Sequence, residues 1–281
     1  MKNILCMTVR RLKDDASKEY NKNLSNFHTF KLYEAMAEIV AHSAKHFIDD
    51  DFDVHIIEGD VDSYQEIFHK NFQAVYDLWN PDDPNNILYL DNDTLVTGPL
   101  EVFGKYPDFQ MFNYTDPKRL SGDDKTKNKY GLDFEHYLNA GCRYYPSTMQ
   151  TSSWDLGWEY ANDWDYGIWG TEQLIFNKMM FTQNPDPAHW IDPTMNFQVM
   201  SLPYQHLDNE QAWAIYDNWN GCSHKDAKVM HLHGTRGAAN TLITQWLLWR
   251  KITGEKFEFS GVEMVLNDDD VPVGINLKDE Q

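Results

Sequence analysis

The sequence predicts a single α/β domain in which a mostly parallel central sheet is flanked by helices. Short apolar runs typical of strands alternate with segments whose apolar residues recur at helical spacing. The order over residues 1–91 is β-α-β-α-β, which favours parallel strands joined by crossover helices. No linker rich in Pro, Gly or Ser divides the 281 residues, so we expect one domain.

The first predicted strand covers Ile4–Val9 and is followed by the basic residues Arg10, Arg11 and Lys13. These three residues are either a solvated loop, which we favour slightly, or a phosphate contact at a strand end. Apolar residues then recur at helical spacing from Phe30 to Phe47, which indicates an amphipathic helix with one face in the core.

A second strand is predicted over Phe52–Ile57. Ser63 and Glu66 have the spacing of a capping box, which opens a helix that ends before Pro81. The run Asn86–Asp91 is a short apolar segment with Ile and Tyr, and it predicts a buried strand. This strand completes the parallel arrangement.

The second half of the chain is less regular and richer in aromatic residues. Its predicted elements are a strand over Phe109–Tyr114, a turn at Leu138 that leads into a strand at Cys142, a helix from Thr171, a strand over Lys228–His233, a helix over Leu242–Ile252 and a frayed acidic tail from Asn267. The polar stretch Thr115–Gly131 predicts an exposed loop, and we expect it to act as a mobile lid. Nine of the ten Trp residues follow Asp93, and we expect most of them in the core.

Composition narrows the classes of function. The net charge of −20 argues against nucleic acid and anionic membranes as partners. Three widely spaced Cys residues suggest neither a disulfide framework nor a CxxC metal site. The N-terminal apolar run is too short for a signal peptide, and no window is apolar enough to span a membrane. We therefore expect a cytoplasmic protein; its oligomeric state is left open.

Two carboxylates, Asp91 and Asp93, stand directly after the third predicted strand. Ligands of open α/β sheets bind at the carboxyl ends of the strands. Carboxylate oxygens suit a hard divalent cation such as Mg²⁺ or Mn²⁺. The alternative is that the two residues only cap a turn, since short motifs often match by chance.

Four short motifs occur in a fixed order, and together they favour the metal site over the turn. They are Asp91-Asn92-Asp93, Asn139-Ala140-Gly141, Glu172-Gln173 and His231-Leu232-His233-Gly234. In this order the sequence resembles the GT-A glycosyltransferases, and most closely the retaining family of glycogenin and bacterial galactosyltransferases. The resemblance covers residues 1–250 only in the order and spacing of these motifs.

The resemblance implies a role for each motif. Asp91, Asp93 and His231 would hold Mn²⁺ or Mg²⁺ on the diphosphate of a nucleotide-sugar donor, a UDP-sugar above all, and His233 is the rival ligand. The other implied contacts are Asn139, Ala140 and Gly141 with the donor sugar, Glu172 and Gln173 with the sugar near its anomeric carbon as catalytic residues, and Gly234 and Arg236 with the nucleotide. The acceptor would be a carbohydrate or glycoconjugate.

The same resemblance implies a domain division. Residues 1–266 would form the GT-A domain, with a nucleotide-binding half at 1–114, an acceptor half at 115–266 and the acidic tail at 267–281. The sequence departs from the family pattern in two places. Glu172 stands where the family has Asp more often, and the usual Lys-Pro-Trp is missing after Gly234.

Two other classes of function remain open from the sequence. The run Leu90–Leu95 also resembles the motif of haloacid-dehalogenase-type phosphatases, in which Asp91 would be a covalent nucleophile and Asp93 a general acid or base. That motif normally opens its sheet, whereas here it follows two β-α units. A non-catalytic sugar-binding module would explain the aromatic residues, but it would leave the paired carboxylates unexplained.

Overall fold

The computed structural model describes residues 1–12, 26–113, 138–162, 171–183, 191–200, 202–232 and 237–278. The predicted lid Thr115–Gly131 and the segment 233–236, with Gly234 and Arg236, lie outside these ranges. Within the described ranges the strands are β1 Asn3–Leu12, β2 Asp53–Val61, β3 Asn86–Leu90, β4 Thr94–Val96, β5 Gln110–Met111, β6 Cys142–Tyr145, β7 Phe197–Gln198, β8 Val229–His231, β9 Val262–Leu266 and β10 Pro272–Leu277.

Six α-helices lie in the described part of the chain. They are α1 Asn26–Phe47, α2 Tyr64–Trp79, α3 Thr151–Asn162, α4 Thr171–Gln183, α5 Glu210–Asn220 and α6 Ala238–Thr253. None of these helices is both long and apolar enough to cross a lipid bilayer. Helix α2 opens as predicted, because the Ser63 hydroxyl accepts from the Glu66 N–H while the Glu66 carboxylate accepts from the Asp62 N–H.

The central sheet has five strands in the order β2-β1-β3-β6-β5. Strand β1 is parallel to both β2 and β3, as the β-α-β-α-β order predicts. Strand β6 is antiparallel to β3 and to β5, so the sheet is mixed. The α/β class with flanking helices is confirmed, and the antiparallel strands come from the half of the chain where the sequence is less regular.

A second, three-stranded sheet, in the order β4-β8-β7, follows the carboxyl end of β3. Strand β4 is antiparallel to β8, with Thr94 opposite His231. The short turn 91–93 joins β3 to β4, so it connects the two sheets. The last residue of β8 therefore lies beside this turn, and this topology builds the site described below.

Apolar residues fill both faces of the central sheet. One face packs against α2, α3 and α4 through residues such as Phe72, Trp154 and Phe176. The other face packs against α1 through Ala37, Val40 and their neighbours. Helix α1 also contacts β4 and α6, and it is thereby placed between the two sheets.

Most Trp residues of the described chain are buried, as predicted from the sequence. Trp79, Trp154, Trp213, Trp246 and Trp249 are each at most 2% exposed. All three Cys residues are free thiols, and burial raises the pKa of the Cys6 thiol to about 12. A buried thiol with so high a pKa is a poor nucleophile.

The frayed tail expected from Asn267 is not what the structure shows. Strand β10 pairs antiparallel with β9, and Asp270 forms ion pairs with Arg250 at 2.6 Å and Lys256 at 2.8 Å. The Asn267 side chain accepts hydrogen bonds from two backbone N–H groups of the connecting turn. Consecutive Asp residues thus close a hairpin, because their turn is stabilised by Asn267 and by cations of α6 and the segment after it.

Trp154 provides a test of the packing between α3 and the sheet. Its ring stacks on Tyr145 with centroids 5.1 Å apart, and it is 1% exposed. Trp154→Ala should lower the free energy of unfolding by about 3–5 kcal/mol, because it leaves a large cavity. Denaturant titration measures this loss. Ile215→Ala, at a side chain that is 69% exposed, should change the same quantity by less than about 0.5 kcal/mol.

Candidate metal centre and its cavity

The turn after β3 is fixed by backbone hydrogen bonds. The Asp91 N–H donates to the Gly141 carbonyl at 2.9 Å, just before β6 begins. The Thr94 N–H donates to the Asp91 carbonyl at 3.1 Å, and the Thr94 hydroxyl donates to the same oxygen at 2.8 Å. The backbone that carries Asp91 and Asp93 is thus held at both ends.

A buried glutamine of α6 also fixes this turn through hydrogen bonds. The Gln245 amide donates to the carbonyl oxygens of Asn92 at 2.7 Å and Thr94 at 2.6 Å. The Asn92 amide in turn donates to the Thr8 carbonyl of β1 at 2.8 Å. Gln245 is fully buried. The role of this residue was not predicted from the sequence, where its one signal is a polar residue on the apolar face of a helix.

The structure brings the three predicted ligands together. The Nε2 atom of His231 lies 3.1 Å from a carboxylate oxygen of Asp93 and 4.0 Å from one of Asp91. One ligand atom from each residue lies within 4.8 Å of the others. Two oxygens and one nitrogen at this spacing form a donor set that fits a divalent cation.

Asn139 fixes which nitrogen of His231 faces the carboxylates. Its amide oxygen accepts from the Gly141 N–H at 2.9 Å, and a backbone N–H can only donate, so the orientation of the amide is determined. The His231 Nδ1 atom lies 3.0 Å from that oxygen and must therefore donate to it. The neutral ring then presents the lone pair of Nε2 to Asp93, as a metal ligand must.

Gly141 leaves room for the His231 ring. A Cβ at position 141 would lie 2.0 Å from Cε1 and 2.3 Å from Nδ1 of His231. No such contact exists between real atoms, so any side chain at this position would displace the imidazole. Glycine is needed here because the backbone approaches the ring closely, and not for a left-handed φ.

A series of buried amides extends from Asn139 into the fold. The Asn196 amide donates to the Asn139 side-chain oxygen at 3.0 Å, and the Asn113 amide donates to the Asn196 carbonyl at 2.9 Å and to the Asn220 side chain at 2.8 Å. The Asn139 amide itself donates to Gln173 of α4 at 3.2 Å. These Asn side chains are at most 8% exposed, so the network orients His231 from inside the protein.

Burial and the nearby charges have opposite effects on the pKa of His231. Burial by itself lowers the pKa of this histidine, but the nearby Asp93 and Asp91 carboxylates more than compensate, and the pKa is raised overall. The two carboxylates therefore favour a positive charge beside the ring. A divalent cation held by Asp91 and Asp93 would supply that charge, with the Nε2 lone pair as its third ligand.

Arg143 brings a buried positive charge near Asp91. Its guanidinium is held between the rings of Tyr89 and Phe176, with its central carbon 4.0 and 4.1 Å from their centroids. It lies 3.9 Å from the Asp91 oxygen that is not the one nearest His231. One oxygen of Asp91 therefore faces Arg143, and the other faces His231 in the three-ligand cluster.

A cavity of about 210 Å³ opens beside the carboxylates. It lies at the carboxyl end of β3, beside Thr8 of the neighbouring β1, and ligands of α/β sheets bind at the carboxyl ends of strands. Its lining residues are Thr8, Tyr33, Asn71, Tyr89, Asp91, Asn92 and Asp93. The metal cluster and this cavity share both aspartates, so one ligand can occupy the two together.

Only some of the other predicted site residues lie in the described part of the chain. Glu172 and Gln173 lie in the first turn of α4, as predicted, and the Gln173 side chain accepts from the Ala140 N–H at 3.2 Å. The side chain of Glu172 lies outside the described part, as do His233, Gly234, Arg236 and Lys13.

Two of the three basic residues predicted after the first strand, Arg10 and Arg11, bind the protein itself. Arg11 forms a two-pronged ion pair with Asp60 at 2.7 and 2.8 Å. Arg10 donates to Asn71 at 2.9 Å and to the Glu58 carbonyl at 3.0 Å. Both lie in β1, which extends beyond the predicted strand end, so neither forms a solvated loop.

Gly141→Ala should disrupt the metal centre. The new methyl group occupies the space of the His231 ring, so we expect the affinity for Mn²⁺ to fall by about 10–100-fold or more. Electron paramagnetic resonance of free Mn²⁺ measures the affinity directly. Gly98→Ala is the matched control, because its Cβ would lie an ordinary 3.5 Å from the nearest atom. Equal Mn²⁺ binding by the two variants would contradict the proposed ligand His231.

No model of a known protein family matches the chain, and no curated protein matches it either. Among solved structures it is similar to the galactosyltransferase LgtC in complex with donor and acceptor sugar analogs, at 14% identity and a TM-score of 0.45, over 91% of this chain and 96% of that one. It is also similar to mouse xyloside xylosyltransferase 1, at 11% identity and a TM-score of 0.45, over 82% of this chain and 97% of that one. The bifunctional glycosyltransferase WbbM is similar at 11% identity and a TM-score of 0.49, over 90% of this chain and 50% of that one. These three proteins are glycosyltransferases. Every TM-score is below 0.5, so the proposed function rests on the site residues of this chain.

Proposed function

We propose that this protein is a metal-dependent glycosyltransferase that moves a sugar from a nucleotide sugar, in the first place a UDP-sugar, to a carbohydrate or glycoconjugate acceptor. The observation that carries the proposal is the meeting of Asp91, Asp93 and His231 at the carboxyl edge of the sheet. The two aspartates lie in the turn that joins the two sheets, and His231 ends a strand of the smaller sheet. A cavity large enough for part of a ligand adjoins them.

The ligand set favours Mn²⁺ over Mg²⁺. Mg²⁺ binds carboxylates and water, whereas Mn²⁺ is a transition-metal ion that accepts an imidazole nitrogen more readily than Mg²⁺ does. The orientation of His231 by Asn139 and the space left by Gly141 both serve a nitrogen ligand. A bound cation would act as a Lewis acid that neutralises charge on the leaving diphosphate.

The residues of the chain would divide the remaining work. Asp91 and Asp93 supply the negative charge that retains the cation, and Gln245 keeps their backbone in place. The nucleotide would be bound by the half at 1–114 and the acceptor by the half at 115–266. Because the Asn139 side chain is engaged with His231 and Gln173, we assign it to orient the metal ligand, and we leave the sugar contact to Ala140, Gly141 and the start of α4.

Glu172 and Gln173 would stand near the anomeric carbon of the donor sugar. In the retaining reaction that the sequence resemblance implies, no protein base is required, since the leaving phosphate oxygen can accept the proton of the acceptor. Glu172 and Gln173 then orient the sugar and stabilise the positive charge that develops on it. In an inverting reaction, Glu172 would have to deprotonate the acceptor hydroxyl.

Asp93→Asn tests the function as a whole. The change keeps the size of the side chain and removes the charge that binds the cation, so Mn²⁺-dependent binding of UDP should be lost. Release of UDP from UDP-sugars should also fall to background, as it should for the wild type after chelation of the metal. Asp108→Asn, at an exposed position, serves as the control. Metal-dependent hydrolysis of p-nitrophenyl phosphate in place of UDP release would point to a phosphatase and refute the proposal.

Glu172→Gln separates the two stereochemical courses. If the reaction retains configuration, the variant should keep appreciable activity and the pH–rate profile should keep its shape. Loss of a general base would instead cost about 10²–10⁴ in rate. NMR of the first glycoside formed is the independent check, because a product anomer opposite to that of the donor would refute retention.

A further inference from the structure

We propose that Asn71 selects the base of the nucleotide, and that it favours a base with a carbonyl at the edge opposite the ribose, namely uracil or guanine. The inference rests on the proposed function, since it requires a nucleotide beside the metal ligands. Asn71 lies in the middle of α2 and lines the same cavity as Asp91 and Asp93.

Arg10 fixes the orientation of the Asn71 amide. The Nε–H of Arg10 donates to the Asn71 side-chain oxygen at 2.9 Å, and a guanidinium has no acceptor atom. The guanidinium is itself held by the carbonyl oxygens of Glu58 at 3.0 Å and Lys70 at 3.4 Å. The oxygen of Asn71 is thereby engaged, and the amide cannot turn without breaking this bond.

The nitrogen of the Asn71 amide is not used by the bond to Arg10. Among the residues that the structure describes, no acceptor binds this NH₂ group, although Asn71 is only 8% exposed. A polar group in so buried a residue normally bonds to a protein group or to water. The cavity is where a ligand could supply the missing acceptor, because Asn71 is one of its walls.

The direction of this hydrogen bond determines which bases fit. Uracil and guanine carry a carbonyl acceptor opposite the ribose, whereas cytosine and adenine carry an amino donor at the equivalent edge. Two donors that face each other in a buried place leave both unsatisfied, which costs more than the loss of a single bond. A fixed Asn71 amide therefore binds the first pair and rejects the second.

The size of the cavity favours uracil over guanine. The cavity of about 210 Å³ is below the range of about 300–1,000 Å³ that is usual for small-molecule pockets, so it accommodates one ring more easily than two. Tyr33 also lines the cavity and is 39% exposed. The hydroxyl groups of Thr8 and Tyr89 bond to each other at 2.7 Å on the same wall.

The test compares the dissociation constants of UDP, CDP, GDP and ADP in the presence of Mn²⁺, measured by calorimetry. All four carry the same diphosphate, so their ratios report the base alone. We expect the wild type to prefer UDP over CDP by at least about tenfold. Asn71→Asp keeps the shape and the bond to Arg10 but presents an acceptor to the cavity, so the ratio should fall at least about tenfold.

Two further variants keep the test specific. Arg10→Met releases the Asn71 amide, so the ratio of UDP to CDP should approach one, while Mn²⁺ binding without nucleotide stays unchanged. Gln73→Glu makes the same amide-to-acid change on the exposed face of α2 and should leave the ratio as in the wild type. Thermal melting identifies any variant that fails to fold.

The outcomes distinguish this inference from the function on which it rests. If none of the four nucleotides binds with Mn²⁺, both are overturned. If they bind with equal affinity, or if Asn71→Asp leaves the ratio unchanged, the metal-dependent nucleotide site stands and the role of Asn71 is refuted. A preference for GDP over UDP would keep the selection of a carbonyl and refute the argument from cavity size.

Discussion

The contact between the His231 ring and the bare backbone of Gly141 is the constraint on which the site depends. It brings the end of β8 against the start of β6, although β8 belongs to the small sheet and β6 to the central one. The same Gly141 binds Asp91 through its carbonyl and Asn139 through its N–H. One residue without a side chain thus determines where the predicted carboxylate and imidazole ligands stand.

Much of the fold follows from local signals in the sequence. The β-α-β-α-β order over residues 1–91 and the capping box at Ser63 are present as predicted. Helix α6 ends within one residue of the predicted Ile252, and the Gly254 that follows it has a left-handed φ of 78°. Local patterns predict these features because propensity and periodicity act within a few residues. The β9–β10 hairpin was missed for the converse reason, since Asp270 is stabilised by cations that are distant from it in sequence.

The candidate site was only half accessible to sequence reasoning. Asp91, Asp93 and His231 stand in recognisable motifs at strand ends, and the structure does bring them together. Gln245, Asn196 and Arg143 carry no such signal. Each is a polar residue in an apolar stretch, and such a residue acquires its meaning only when distant segments pack around it. The free-energy cost of burying these polar groups is offset by contacts with residues that are distant in the sequence.

The amide network around Asn139 has a consequence for how the chain folds. Its members come from positions 113, 139, 196 and 220, and the ligands they support stand at 91 and 231, with a further clamp from Gln245. Contacts of such long sequence separation are slow to form, because loop closure must precede them. No fragment that lacks α6 contains the whole centre. Binding of a cation would therefore stabilise the complete topology rather than either half, and it would report that the chain has reached its native state.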